Sequence, residues 1–262
     1  MFETVKLEKK GSVHYLTLNR PDKRNAMNEV MQAEIVMAFE QIEAEGGRLC
    51  VITGEGKVFC AGADLNWMRK MKDFSFEENM KDSKKLALMF RKIREAPFVT
   101  VAAVNGHAIG GAVGIIAACD IAVAKRGSMF SFGEVKLGIV PAVIGPYIVA
   151  KTNRSAARYY MLTGERFDAD RAYQIGLVHK VFDEKEFNEG LKNLLIQILT
   201  GGKNSQRLIK RLLDQISPVP SKEIEDFAVE MIARARISDE GQEGIAAFFE
   251  KRKPSWLEVE VE

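Results

Sequence analysis

Three short runs, Leu49-Cys50-Val51-Ile52-Thr53, Val99-Thr100-Val101-Ala102-Ala103-Val104 and Ile121-Ala122-Val123-Ala124, are apolar almost without alternation. A strand with one wet face alternates apolar and polar residues; a strand covered on both faces does not. Runs of this kind demand helices on both sides of a largely parallel sheet, and the sequence between them supplies helices. From Met27 the apolar residues Met27, Met31, Ile35, Ala38 and Ile42 recur at spacings of three and four, the period of one helix face, until Gly46-Gly47 stops the pattern. A helix of small and apolar residues, from about Gly110 to Ala118, separates the second run from the third. Val13-His14-Tyr15-Leu16-Thr17-Leu18 is a further strand, ended by the turn chemistry of Asn19-Arg20-Pro21-Asp22, and the residues up to Lys6 already lead into a strand-like pattern. The fold class is α/β.

Beyond about Asp168 the strand signals fade, and the segments 184–200, 204–216, 221–237 and 239–251 read as helices broken by Gly201-Gly202 and Pro218-Val219-Pro220. The expected organisation is an α/β core over residues 1–200 and a helical region over 201–262. A chain of 262 residues with 47% hydrophobic side chains fills a large core, yet no stretch approaches the roughly 20 apolar residues of a membrane helix. Neither an apolar signal core nor an Arg/Ser-rich transit segment opens the chain, so a cytoplasmic location and no membrane partner are expected. A net charge of +2 gives no reason to expect nucleic acid. Cys50, Cys60 and Cys119 stand in or beside apolar runs without CxxC spacing and read as buried free thiols. Three histidines, His14, His107 and His179, are too few for a His-rich metal site.

The sequence lacks a Walker loop, an HExxH pair, a GxSxG elbow and a Rossmann glycine fingerprint. What it has is a pair of small-residue loops, each after a strand and before a helix: Phe59-Cys60-Ala61-Gly62-Ala63-Asp64-Leu65 and Asn105 through Gly114. The first N–H groups of a helix have no internal partner, and small residues let a ligand reach them. Two such groups converging on one carbonyl make an oxyanion hole, although either loop alone is equally compatible with close helix–strand packing. Ser131-Phe132-Gly133-Glu134-Val135-Lys136-Leu137-Gly138 sets a carboxylate between an aromatic and an aliphatic run, where burial raises its pKa toward proton-transfer duty. His107 is an alternative base or a structural hydrogen-bonder, and Asp120 reads as a buried strand-end carboxylate satisfied by backbone N–H groups. Asn19 through Asn25 is a basic turn suited to a phosphate-bearing ligand.

Taken in order, Asn19-Arg20-Pro21 with Asn25-Ala26-Met27, Phe59 through Asp64, Asn105 through Gly111, Ala118-Cys119-Asp120-Ile121, Glu134 through Gly138, Leu162-Thr163-Gly164 and Ala172 through Val178 resemble the enoyl-CoA hydratase/isomerase (crotonase) family across essentially the whole chain. The resemblance implies a spiral of repeated ββα units with a C-terminal helical region that builds trimers or hexamers, an acyl-CoA substrate, and no cofactor or metal beyond the CoA moiety. It assigns the oxyanion N–H groups to Ala63 and Gly111 and the proton transfer to Glu134. Lys23, Arg24, Asn25 and Ala26, with Ala61, Asp64 and Leu65, match the wall for CoA adenine and pantetheine. Phe248 and Lys251 match positions that reach a neighbouring subunit's CoA. Trp67, Met68, Phe90, Val143 and Tyr147 are expected to shape the acyl pocket. Gly114 stands where many family hydratases have a first glutamate, a pattern shared with family isomerases and with bacterial methylglutaconyl-CoA and isohexenylglutaconyl-CoA hydratases. Hydration of a short or branched enoyl-CoA is therefore expected, with double-bond isomerisation as the alternative and an RNA- or CoA-binding scaffold as a third reading.

Overall fold

The apolar runs lie side by side in the computed structural model, which describes residues 2–217 and 219–257. β1 (Val5–Lys10) and β2 (Val13–Leu18) form an antiparallel hairpin at one edge of the main sheet. Three pairs of strands follow: β3 (Leu49–Gly54) with β4 (Val58–Cys60), β5 (Val99–Val104) with β6 (His107–Ile109), and β7 (Ile121–Lys125) with β8 (Met129–Ser131). The first member of each pair joins the main sheet and the second joins a smaller one. With β9 (Arg166–Asp168) and β10 (Lys180–Phe182) the sheets read β1-β2-β3-β5-β7-β10 and β4-β6-β8-β9. β2 through β10 pair in parallel along the main sheet, and helices follow the strand pairs. This is the spiral of ββα units that the resemblance implied.

Helix α1 (Glu29–Ala44) precedes the first pair, and α2 (Leu65–Lys72) and α3 (Phe76–Glu95) follow it. After the second comes α4 (Gly111–Ala118), and after the third a 3-10 turn, Gly133–Leu137, then α5 (Gly145–Lys151). Each start has a local cause. The Asn28 side chain accepts from Met31 N, so α1 begins at Glu29 and Met27 falls outside it, paired with Ala63 in an isolated bridge. Ser75 and Glu78 close a capping box on α3. β5 is buried along its whole length, and Phe59, Phe90, Phe130 and Phe132 are fully buried beneath the helices, each stabilising by roughly 1.5–3 kcal/mol. Cys50, Cys60 and Cys119 are free and buried, and burial pushes the Cys60 thiol up to about 11 and Cys119 to about 12.

The second half is helical apart from two strands the sequence does not announce. α6 (Arg154–Thr163) and α7 (Ala169–Gln174) flank β9, whose Phe167 pairs with Phe130, and β10 lies beyond the point where strand signals fade. Three residues are too few to display a period, and both are held in place by pairing to a neighbour strand. The four C-terminal helices, α8 (Phe187–Thr200), α9 (Lys203–Ile216), α10 (Lys222–Ile237) and α11 (Asp239–Glu250), match the expected segments within three residues at each end. Lys210 of α9 pairs with Asp120 at 2.8 Å, fastening that helix to the sheet. α10 runs along α3, and α11 packs so tightly on the 3-10 turn that a Cβ at Gly244 would lie 2.4 Å from the Leu137 backbone. No helix among the described residues is long and apolar enough to cross a membrane.

Candidate active site

These elements enclose a cavity of about 700 Å³ between the two small-residue loops, the 3-10 turn and the helices α10 and α11, within the range of small-molecule sites. Ala63 and Gly111, on separate loops, both line it. Met27 N donates to Gly62 O at 2.7 Å and Asp64 N donates to Met27 O at 2.8 Å. Those bonds fix the strand on either side of Ala63 while its own N–H has no backbone acceptor among the described residues. Gly111 is the first residue of α4, where an N–H has no acceptor within the helix.

The third component is Glu134, in the turn between them. Its Oε2 is buried and has no hydrogen-bond partner among the described residues, and burial pushes its pKa up to about 7. The rest of the side chain keeps some exposure toward the cavity. Gly110 makes this approach possible in two ways. Its φ of 55° and ψ of −125° suit glycine alone, and a Cβ there would stand 3.2 Å from Glu134 Oε1. The same residue therefore opens α4 and leaves room for the carboxylate. Among the described residues lining the cavity, Glu134 is the one acid. No group of three His, Cys, Asp or Glu suited to a metal ion occurs among the described residues.

Several sequence assignments need correction. Gly114 does not line the cavity. It is buried inside α4, where a Cβ would meet Ile144 Cγ2 at 2.3 Å and Phe90 Cε1 at 2.8 Å. The first-glutamate position is filled by packing and is not an empty place in the active site. Asn25 is fully buried: its Nδ2 donates to Glu55 O and Val58 O at 2.9 and 2.8 Å, and its Oδ1 accepts from Arg20 N. Asp64 caps α2 and pairs with Arg20 at 2.9 Å. Both residues shape the basic turn from behind, so their side chains are not ligand contacts. Lys23 and Ala26 also lie off the cavity wall; Lys251, expected at a neighbouring subunit's CoA, lies off the cavity of its own chain, which does not bear on that expectation. Ala26 gives its carbonyl to Arg20, and Lys251 ends α11 in a left-handed conformation. Phe90 and Tyr147 pack against each other off the cavity wall, their ring centroids 5.9 Å apart and their planes tilted by 46°, whereas Trp67, Met68 and Val143 line it.

Arg24, Ala61, Leu65 and Phe248 do line the cavity, and Phe248 lines that of its own chain. His107 is structural: its Nδ1 accepts from Met129 N at 3.0 Å. Asp120 is the expected strand-end carboxylate, held by Thr100 N, the Thr100 hydroxyl and Lys210 and not by backbone N–H groups alone. Missed by the sequence reading were Met27 and the cations Lys136, Arg166, Arg236 and Arg252. Arg252 carries one signal, its place in the basic run from Lys251 to Lys253. The others carry no mark distinguishing them from surface residues.

The comparisons with known proteins agree on one family. A sequence profile described as enoyl-CoA hydratase/isomerase matches residues 8–259. A short-chain-enoyl-CoA hydratase of Clostridium acetobutylicum is 31% identical, covering 95% of this chain and 95% of its own. A crotonyl-CoA hydratase of Syntrophomonas wolfei is 30% identical over 98% of each chain. The crystal structure of an enoyl-CoA hydratase from Shewanella pealeana superposes with a TM-score of 0.80 at 38% identity, covering 97% of this chain and 96% of that one.

Proposed function

Since the chain belongs to the enoyl-CoA hydratase/isomerase family, we propose that it adds water reversibly across the 2,3 double bond of a short or branched enoyl-CoA, with 3-methylglutaconyl-CoA as one candidate. The observation that carries this reading is one cavity lined by two main-chain N–H groups from separate loops and by a single, unpartnered, buried carboxylate. The Ala63 and Gly111 N–H groups donate to the thioester oxygen and gain strength as negative charge moves onto it, which lowers the barrier more than it tightens substrate binding. Glu134 in its ionised form takes a proton from water as the oxygen bonds to C3. The carboxylic acid so formed returns that proton to C2, so the atoms balance without a second acid. A pKa near 7 suits a group that must both accept and donate. The CoA moiety belongs to the substrate; the exposed cation of Arg24 at the cavity edge supports assigning it to the CoA phosphates. The apolar faces left on the C-terminal helices support a homo-oligomer, a trimer or hexamer.

A lone carboxylate also favours the second reading, in which Glu134 carries a proton from one carbon of the acyl chain to another and no water adds. Incubation with crotonyl-CoA and 3-methylglutaconyl-CoA in heavy-oxygen water, wild type beside Glu134→Gln, separates them. Heavy oxygen in the product, lost in the variant, is expected. No incorporation, together with conversion of a 3-enoyl-CoA to its 2-enoyl isomer, establishes the isomerase instead.

A further inference from the structure

Five cationic side chains line the cavity among the described residues. Four of them, Arg24, Lys136, Arg166 and Arg252, are exposed at its rim. The fifth, Arg236 near the end of α10, is 5% exposed; Trp67 of α2, whose ring it faces, and Ile232, one turn earlier on its own helix, line the same cavity. A guanidinium in such a place is costly unless each of its donors has a partner. Here the donors are used unevenly. Nη1 donates to Asp82 at 2.9 Å and more weakly to Asn79 and Ser83, each at 3.4 Å. Nε is buried with no partner, and Nη2 donates to nothing among the described residues.

Asp82 does not simply absorb the charge. Its second oxygen accepts from Trp67 Nε1 at 3.1 Å, and Asp82 is itself 8% exposed, so the carboxylate holds the guanidinium by one corner and fixes the indole beside it. The Arg236 carbon centre lies 5.8 Å from the Trp67 ring. A guanidinium held through Nη1, with Nε buried, keeps Nη2 as its one free charged donor, the kind of group that a carboxylate oxygen accepts from. Glu134, the one acid lining the cavity among the described residues, is already assigned to the reacting carbons.

We propose that Arg236 is a specificity residue that receives a carboxylate at the far end of the acyl chain, making the preferred substrates dicarboxylic mono-thioesters of CoA. This rests on the enoyl-CoA reading for the identity of the ligand. It also explains why an arginine persists in an apolar acyl pocket: the substrate supplies the acceptor the protein leaves out. Trp67, held by Asp82, packs against the intervening methylene groups.

The test separates binding from turnover. Isothermal titration with unreactive saturated thioesters compares glutaryl-CoA with pentanoyl-CoA and adipyl-CoA with hexanoyl-CoA, each pair equal in chain length and differing in the terminal group. Wild type is expected to favour the carboxylate at one length by at least about tenfold, the worth of a charge-assisted bond in a buried site. Arg236→Met should bring that ratio to about one or invert it. If Arg236→Met fails to fold because Asp82 is stranded, the double variant Asp82→Asn/Arg236→Met removes both partners and is read in the same way. A ratio near one at both lengths in wild type overturns the proposal, as does an undiminished ratio in the variants. Failure of the hydratase reading would appear elsewhere, as missing heavy-oxygen incorporation, and leaves this ratio measurable.

Discussion

Gly114 and Glu134 are read alike at first sight, as one carboxylate lost and one kept, but their surroundings differ. A glycine in the middle of α4 sacrifices about 1 kcal/mol of helix propensity relative to alanine, so a side chain there ought to stabilise. Contact with Ile144 at 2.3 Å and Phe90 at 2.8 Å reverses the sign, because overpacking costs roughly 1–3 kcal/mol. Gly114→Glu is therefore expected to lower thermal stability by several degrees and to leave product formation without a gain. Gly114→Glu combined with Ile144→Ala recovers stability relative to the single variant. Differential scanning calorimetry of the three proteins checks this; a stabilised Gly114→Glu would mean the α4–α5 packing is looser than the contacts show. At the rim the expectation is a binding effect. Arg24→Met removes an exposed charge from the cavity edge and should raise KM about tenfold or less with kcat nearly unchanged, the defect shrinking at high salt. A fall in kcat with KM constant would move Arg24 into the chemistry.

At the scale of elements, legibility followed length. The 3.6 period of α1 and of α8 through α11 spans several turns each, and the apolar runs of β3, β5 and β7 have no other reading, so all of these stand in the sequence. β4, β6, β8, β9 and β10 are three residues each and exist through their neighbours. The site divides in the same way. The two loops and Glu134 were legible because glycine, small residues and a carboxylate amid apolar residues break the local pattern. Arg236 was not: Arg234, two residues earlier, pairs with Glu230 on the surface at 2.6 Å, and nothing local distinguishes the exposed arginine from the buried one. That difference arises from α3, far away in the chain. α9 shows another limit. Leu208, Ile209, Leu212, Leu213 and Ile216, between 54% and 70% exposed, make an apolar stripe with no partner in the described chain. A second copy of the chain is the expected cover, so Leu212→Glu with Ile216→Lys should shift the mass in analytical ultracentrifugation from oligomer toward monomer. A wild type that sediments as a monomer at micromolar concentration removes that expectation.

For the molecule as a whole, Glu134 ties activity to stability through one proton. Its carboxyl has an ordinary value of 4.5, which the unfolded chain restores, and burial holds it near 7 in the native state. Between those values the native state binds more proton than the unfolded state, so this group makes stability fall as pH rises. The penalty is absent below pH 4.5 and complete above about pH 7, where it reaches at most about 3 kcal/mol at 1.36 kcal/mol per unit. Removing the charge with Glu134→Gln abolishes that slope. The buried amide brings a cost of its own, but one independent of pH, so the difference between the two stabilities is the quantity to follow. Urea unfolding at pH 4.5, 6 and 8 is expected to show the variant gaining on the wild type as pH rises, most steeply midway between 4.5 and 7, near pH 6. Activity should run the other way: kcat/KM for hydration rises toward a plateau above about pH 7, as the base ionises, over the interval in which the fold loses stability. A difference in stability that stays flat with pH would mean that the Glu134 carboxylate is hydrated in the native enzyme, and the rate profile should then turn near 4.5 instead.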